Sequence, residues 1–306
     1  MCLAMVRAPS RPVRTVATRA PQGKSRSLLV PAGLLLAAGA IVLAERRKPL
    51  RRRSQAEPAR TVRNLMLGAL SMAVVAAVED PVTRRLAQRA ERRRSGLAQW
   101  LPLPAWGRDA VAFLLMDYTI YVWHVLTHEL PALWRLHLVH HVDLDLDAST
   151  ALRFHALDML VSVPWRAAQV AVLGVSPRAF QVWQKFFFLS VLFHHSNLRL
   201  PERVERALAL VLTTPRMHGL HHSVDRSETD SNWTSGLSVW DRLHGTFRWA
   251  GKPRDFGIGV PAYRDPAELT FGRSLAMPFR GQRDAWRPAG TQPAPGQPAR
   301  PRRGTD

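Results

Sequence analysis

Histidines occur in this chain in tight groups: His124 with His128, His137 with His140 and His141, and His218 with His221 and His222. On a helix, residues three or four apart share a face, so each group aims its imidazoles in one direction. Neutral imidazole is the commonest side-chain ligand for iron, zinc and copper. It binds through one ring nitrogen and keeps the other N–H for a hydrogen bond. Eleven of the twelve histidines lie between His124 and His222. One tetrahedral zinc needs four ligands, so eight or more converging imidazoles point to two metal ions. A single helical histidine is more often a surface or satisfied core residue. Here HxxHH occurs twice, with HxxxH thirteen residues ahead of the first copy, and that repetition favours a metal site. A zinc-protease motif is absent, because His128-Glu129 continues as Leu130-Pro131-Ala132 and completes no HExxH.

These side chains need helices to hold them. From Asp109 to His128 the periodicity is helical, with Asp117, Tyr121, His124 and His128 on one stripe. An acid inside an apolar helix needs a partner, which the stripe supplies; Tyr118 and Tyr121 read as core packing. After the break at Pro131, a short helix carries His137 to His141. Asp143, Asp145 and Asp147 alternate with apolar residues and read as a solvated turn or as hydrogen-bonding support, not as ligands. Two apolar runs, Leu157 to Leu173 and Ala179 to Phe193, are joined by Gly174-Val175-Ser176-Pro177, a strong turn signal. As helices they measure roughly 25 and 22 Å against a hydrocarbon core of about 30 Å, so a tilted or locally thinned hairpin is expected. A hairpin returns the chain to the side it left, which brings His155 and His195 to the same side.

The net charge of +20 is unevenly spread: Met1 to Arg108 holds 21 basic and 5 acidic residues, the remainder 22 and 18. The excess flanks apolar runs, as basic residues do at an anionic membrane surface. With no nucleic-acid-binding motif beside it, no nucleic-acid partner is expected. Leu28 to Ala44 follows a basic stretch but lacks a clear cleavage site, so it reads as a retained membrane helix rather than a signal peptide. A second run, Leu65 to Val78, is expected to stop at Glu79-Asp80-Pro81, and Arg84 to Arg94 to be solvated. Trp100 and Trp106 read as interfacial anchors. The single cysteine, Cys2, excludes an internal disulfide and a thiolate metal site. Positive-inside counting leaves orientation open.

The residues around the histidines carry a resemblance. The run from Asp117-Tyr118 through Tyr121, His124, His128 and Glu129, followed by Leu133-Trp134-Arg135 and His137, His140 and His141, resembles the fatty acid hydroxylase and sterol desaturase superfamily of integral-membrane di-iron enzymes. The likeness continues through Thr150-Ala151-Leu152-Arg153 with His155, and Phe193 with His195-Ser196-Asn197. It ends with Thr214-Pro215, His218, His221-His222-Ser223, Asp230, Asn232, Trp240-Asp241-Arg242-Leu243 and Gly245-Thr246, covering about Val111 to Phe247. The family usually has an aromatic at the His244 position, and Pro-Leu-Glu where this chain has Ala156-Leu157-Asp158. The resemblance implies metal ligands at His124, His128, His137, His140, His141, His155, His195, His218, His221 and His222, with His194 and His244 left out. Asp117, Tyr121, Glu129, Asp158, Asn197, Asp230, Asn232 and Asp241 are expected to support them by hydrogen bonds.

The expected fold is all-α: multi-pass membrane helices with a helical, histidine-rich cap holding two metals. Residues 1–108 are expected to be a basic region with membrane helices, 109–250 the catalytic domain, and 251–306 an extension, disordered from about 288. The resemblance implies two iron ions, O2 as co-substrate, a membrane lipid as substrate and a metal site facing the cytoplasm. The sequence holds no flavin, NAD or haem-attachment motif, so a separate ferredoxin- or cytochrome-type electron donor is implied. The alternative is a histidine-rich membrane metal-binding protein or transporter. It is disfavoured because the apolar runs hold few polar residues beyond Asp117, Asp158 and Gln169.

Overall fold

The computed structural model describes residues 24–55, 58–249 and 257–291, with side chains from residue 32 onward. The basic stretch before Lys24 and the proline-rich tail after Thr291 lie outside the described residues. Every regular element among them is a helix, and extended pairing is limited to three isolated bridges. The chain begins with α1 (Lys24–Arg47), on which Leu35 and Leu36 are 74% and 76% exposed, as side chains facing lipid would be. Next come α2 (Ala59–Val74) and α3 (Asp80–Arg93), then α4 (Leu97–Trp100) and α5 (Ala105–Glu129). Helix α6 (Pro131–His141) precedes a hairpin of α7 (Ala156–Leu173) and α8 (Pro177–His195). Short helices follow: α9 (Glu202–Leu208), α10 (Pro215–His221), α11 (Arg226–Thr229), α12 (Val239–Leu243) and α13 (Phe271–Ala276). Three segments, Ala59–Trp100, Ala105–Glu129 and Ala156–Leu173, are long and apolar enough to cross a membrane. The architecture is that of a multi-pass helical membrane protein.

Local chemistry sets the helix ends that matter for the site. His155 caps α7, its Nδ1 accepting from Leu157 N–H at 3.1 Å. Ser176 caps α8, its Oγ accepting from Ala179 N–H at 3.0 Å, with Pro177 in the first turn, where its missing N–H costs nothing. The hairpin turn needs Gly174 at φ +71°, a left-handed C-terminal cap. It sits against Gly96 at φ +95°, and a Cβ added to Gly96 would overlap the Gly174 backbone. Turn and counter-turn thus lock the hairpin to the α3–α4 junction.

The expected stop at Glu79-Asp80-Pro81 does not occur. A π-helical turn, Val75–Glu79, carries α2 into α3, and Pro81 occupies the opening of α3, where its missing donor is absorbed by the wider turn. Arg84 to Arg93 is accordingly helical and Arg94 caps it in the left-handed region; the arginines are exposed, as expected, while Ala87 and Ala90 are buried.

Two apolar cores hold the body together. One joins α3, α4, α5, α7 and α8 through Ala87, Ala98, Met116, Ile120, Val170, Phe180 and Trp183. The other packs Leu138 and Val139 of α6 against Val260, Tyr263, Leu269, Met277 and Ala285. Residues 257–291 thus pack onto the body through these side chains, and Ala289–Thr291 forms a 3₁₀ turn. Of the two readings of Asp143, Asp145 and Asp147, the solvated turn is ruled out, because all three are buried. Arg60 Nη2 lies 2.8 Å from Asp143 Oδ2, and its Nη1 lies 2.5 Å from Asp147 Oδ2. Asn64 and Gln55 donate to Asp143, and Ser54 N–H to Asp145. The facing arginine holds the Asp143 carboxyl well below the usual carboxylate range. Buried charges persist only when paired and hydrogen-bonded, and this network ties α2 to the loop just after His141.

Candidate metal centre

Nine histidines converge at one end of the helix bundle. His124, His128, His141 and His221 form one group and His140, His195, His218 and His222 a second; within each, one ligand atom per residue lies within 4.8 Å of the others. His137 joins His140 and His141 in a third grouping that bridges the two. The contributors are α5, α6, α8 and α10, so four separate helix ends meet here. On α6 the repeat does what its spacing implies: His137 and His141 face α5 while His140 faces the end of α8.

The ring nitrogens sort themselves by partner. His124 Nδ1 lies 2.6 Å from Trp233 O, His195 Nδ1 2.8 Å from Val191 O, and His221 Nδ1 2.9 Å from Thr229 O. A carbonyl cannot donate, so each Nδ1 carries the proton and each Nε2 is left as the ligand atom. His137 Nδ1 is 3.3 Å from Asp158 Oδ2, which orients it the same way. The free Nε2 atoms close on one another: His195 to His140 and to His218 at 3.0 Å, and His221 to His124 at 3.1 Å. Two nitrogens each about 2.1 Å from a shared ion stand about 3.0–3.4 Å apart, depending on the angle between them. Nε2 of His128, His137, His141 and His222 is buried with no hydrogen-bond partner. Buried polar atoms seldom go unpaired, and a metal ion is the partner that fits this all-imidazole set.

The electrostatics agree. Burial and neighbouring imidazoles hold His140, His141, His218 and His222 well below the ordinary histidine range, and His221 is lowered to about 3. Neutral rings are the ligating form.

The structure does not bring His155 into either group. Its Nδ1 caps α7 and its Nε2 lies 3.2 Å from Leu275 O, so both nitrogens are engaged. His194 is buried with its ring centroid 4.0 Å from that of His218, yet stands outside the groups. His244 is exposed and stacks on Tyr118 and Tyr121.

The expected supporting residues divide. Asp158 touches His137 directly. Asp241 acts one step back, its carboxylate accepting from Trp233 and Thr234 N–H at 2.8 and 3.1 Å and so fixing the carbonyl that receives His124. Asn232, at φ +51°, clamps the same loop by donating to Met217 O and Arg248 O. Asn197 ties the segment after His195 to Arg51, and Glu45 accepts from its N–H at 2.8 Å. Asp117 accepts from Leu237 N–H and Trp240 Nε1, and Tyr121 bonds Thr246, so neither hydrogen-bonds a histidine of the metal groups. Asp230 lies beside Arg226; the carbonyls of its neighbours Thr229 and Ser231 are what reach His221. Glu129 is exposed at the end of α5. Sequence reasoning missed Phe154, stacked on His140 at 4.3 Å, and gave no site role to Trp134, 4.8 Å from His128, beyond its place in the family pattern. Both are aromatics beside predicted ligands, which was the available signal. The backbone acceptors leave no trace in residue type.

The family model described as fatty acid hydroxylase matches residues 110–246. Human alkylglycerol monooxygenase (Homo sapiens) is 31% identical over 150 residues, 49% of this chain and 33% of that protein. An ornithine lipid hydroxylase of Rhizobium tropici is 30% identical over 172 residues, 55% of this chain and 49% of its own length. Cholesterol 25-hydroxylase of Rattus norvegicus is 25% identical over 161 residues, 52% of each chain. The chain thus spans a third to a half of the length of these relatives. No solved structure matches it.

Proposed function

We propose that this chain, a member of the fatty acid hydroxylase family through residues 110–246, inserts one oxygen atom of O2 into a C–H bond of a membrane lipid at a centre of two irons. One observation carries the reading: the two histidine groups adjoin an apolar cavity. His124, His137, His140, His195 and His218 form one end of a cavity of about 410 Å³ whose remaining walls come largely from membrane helices. That volume falls in the range of about 300–1,000 Å³ typical of small-molecule sites.

A C–H bond in a lipid tail offers no acid or base handle, so hydrolytic chemistry has nothing to act on there. Two irons held by these imidazoles would supply oxygen activation, O2 and two electrons with two protons converting the C–H bond to an alcohol and one water. The chain's own residues do the rest. Met72, Ile120, Met159 and Phe187 line the path for the tail, and Phe154, stacked on His140, keeps water from the inner ring face. The carbonyls of Trp233, Val191 and Thr229 and the Asp158 carboxylate hold four imidazoles in one tautomer. The relatives' names designate a monooxygenase and hydroxylases, which supports hydroxylation over desaturation.

The electrons come from a separate ferredoxin- or cytochrome-type donor. An arginine-lined cleft of Arg46, Arg51, Arg52, Arg53 and Arg199, close to the segment after His195, suits an acidic protein on the cytoplasmic side. Lipids from cells grown under isotopically heavy O2, with and without the protein, test the proposal. One lipid class gains a single labelled oxygen only with the wild-type protein and not with His195→Ala. Loss of two hydrogens without oxygen gain would make it a desaturase, and no protein-dependent lipid change would overturn the reading.

A further inference from the structure

The cavity that reaches the histidines has a second polar region. Glu79, Asp80, Arg166, Gln184 and Lys185 all line it. Glu79 and Arg166 form a buried ion pair, each side chain 9% exposed, with Arg166 Nε 3.5 Å from Glu79 Oε1. That separation is too long for a good hydrogen bond, and Arg166 Nε is buried with no hydrogen-bond partner. The guanidinium is nevertheless fixed. Its Nη1 donates to Gln169 Oε1 at 2.7 Å, Gln169 Nε2 donates to Thr119 Oγ1 at 2.6 Å, and its central carbon lies 4.6 Å from the Trp183 ring centroid. Gln184 donates to Asp80 Oδ1 at 3.2 Å. The π-helical turn, α5, α7 and α8 thus position an arginine in the cavity wall and leave one of its donors unused.

Stability alone is a poor reason for this arrangement. A buried ion pair is often matched by apolar residues of similar volume, and ionisable residues within membrane helices commonly mark functional sites. We infer that the Glu79–Arg166 pair binds a hydroxyl group of the lipid substrate. The hydroxyl donates to the Glu79 carboxylate and accepts from Arg166 Nε, so that the rest of the molecule runs along the cavity to the histidines. The inference rests on the oxygenase reading for where the reacting carbon lies. Charge narrows the class: an anionic head would meet Glu79 and Asp80, and a cationic one Arg166 and Lys185, whereas an alcohol meets neither penalty and satisfies both partners. An oxygen can stand about 2.8 Å from each of the two atoms, a hydrogen-bond distance to both. From Asp158, which touches His137, to Arg166 is eight residues of α7, about 12 Å; from His195 to Gln184 is eleven residues of α8, about 16 Å. The substrate is therefore a lipid alcohol oxidised at a carbon about 12–16 Å from its hydroxyl.

Equilibrium binding to the full-length, metal-containing protein without reductant tests this, with 1-hexadecanol and its methyl ether as probes. The alcohol binds about tenfold more tightly than the ether, which cannot donate to Glu79. The double variant Glu79→Leu/Arg166→Met binds the two alike while keeping its metal content. A wild-type ratio near one, or an unchanged ratio in the double variant, overturns the inference. A second measurement needs no variant: a photoreactive diazirine beside the probe's hydroxyl labels the neighbourhood of Glu79, Arg166 and Gln184. Labelling confined to the histidine end would overturn the inference as well. Neither measurement involves turnover. Loss of hydroxyl preference leaves the oxygenase reading standing, and hydroxyl preference in a protein that oxidises no lipid sinks only that reading.

Discussion

His195 and His155 are the same residue type, and both belong to the family pattern, yet their bonds separate them. His195 gives Nδ1–H to a carbonyl and presents Nε2 to two other imidazoles, whereas His155 spends both nitrogens on backbone groups. His195→Ala is expected to lose the metal of its group, with content falling by at least one ion per chain. His155→Ala keeps its metal and costs about 0.5–2 kcal/mol of stability, the worth of a helix cap; metal analysis and thermal unfolding of the two variants check both. Protonation provides another test. His221 is lowered from 6.5 to about 3 in the folded chain. Below pH 6.5 the unfolded state takes up protons that the folded state refuses, so this contribution is fully present above that pH and declines as pH falls toward 3. Metal-free protein should melt at a lower temperature at pH 5 than at pH 7.5, and an equal or higher melting point at pH 5 would contradict the assignment. The spacing of the histidines made most of the ligand set legible in the sequence, because three- and four-residue intervals place rings on one helix face. The role of His155 was not legible, since whether a ring caps a helix or reaches a metal depends on tertiary distance.

At the level of elements, the hairpin was legible from Gly174 to Pro177, but the partner of its turn was not. Gly96 and Gly174 meet with positive φ on both sides, and sequence separation hides the encounter. Gly96→Ala is expected to cost about 1–3 kcal/mol through backbone strain and overlap, read as a lower unfolding temperature in detergent. The aspartates after His141 misled for a related reason. Alternating acids suggest solvent until an arginine from a distant helix is placed among them, and Arg60 is 83 residues from Asp143. Asp143→Ala leaves Arg60 buried without its main partner and should cost about 3–5 kcal/mol. A loss below about 1 kcal/mol would mean the network is solvated after all. The π-helical turn was hidden too, because proline beside two acids reads as a terminus unless the preceding turn widens.

Across the whole molecule, three segments that can span a membrane carry a histidine cap at one end, and residues 257–291 close over α6 through Leu269 and Met277. The sequence showed the apolar runs but gave no periodicity by which to place this last segment, whose contacts come from irregular loops. The hairpin predicts topology: single cysteines beside His155, His195 and His222 in a Cys2-free protein react with impermeant reagent from one face only, and a cysteine beside Gly174 does not react from that face. The nine imidazoles gathered at the capped end are the ligand set of the proposed two-metal centre. The most direct test is the metal content of detergent-purified, iron-supplied protein that hydroxylates lipid. About two irons per chain are expected, and active preparations holding one or none would contradict a two-metal centre.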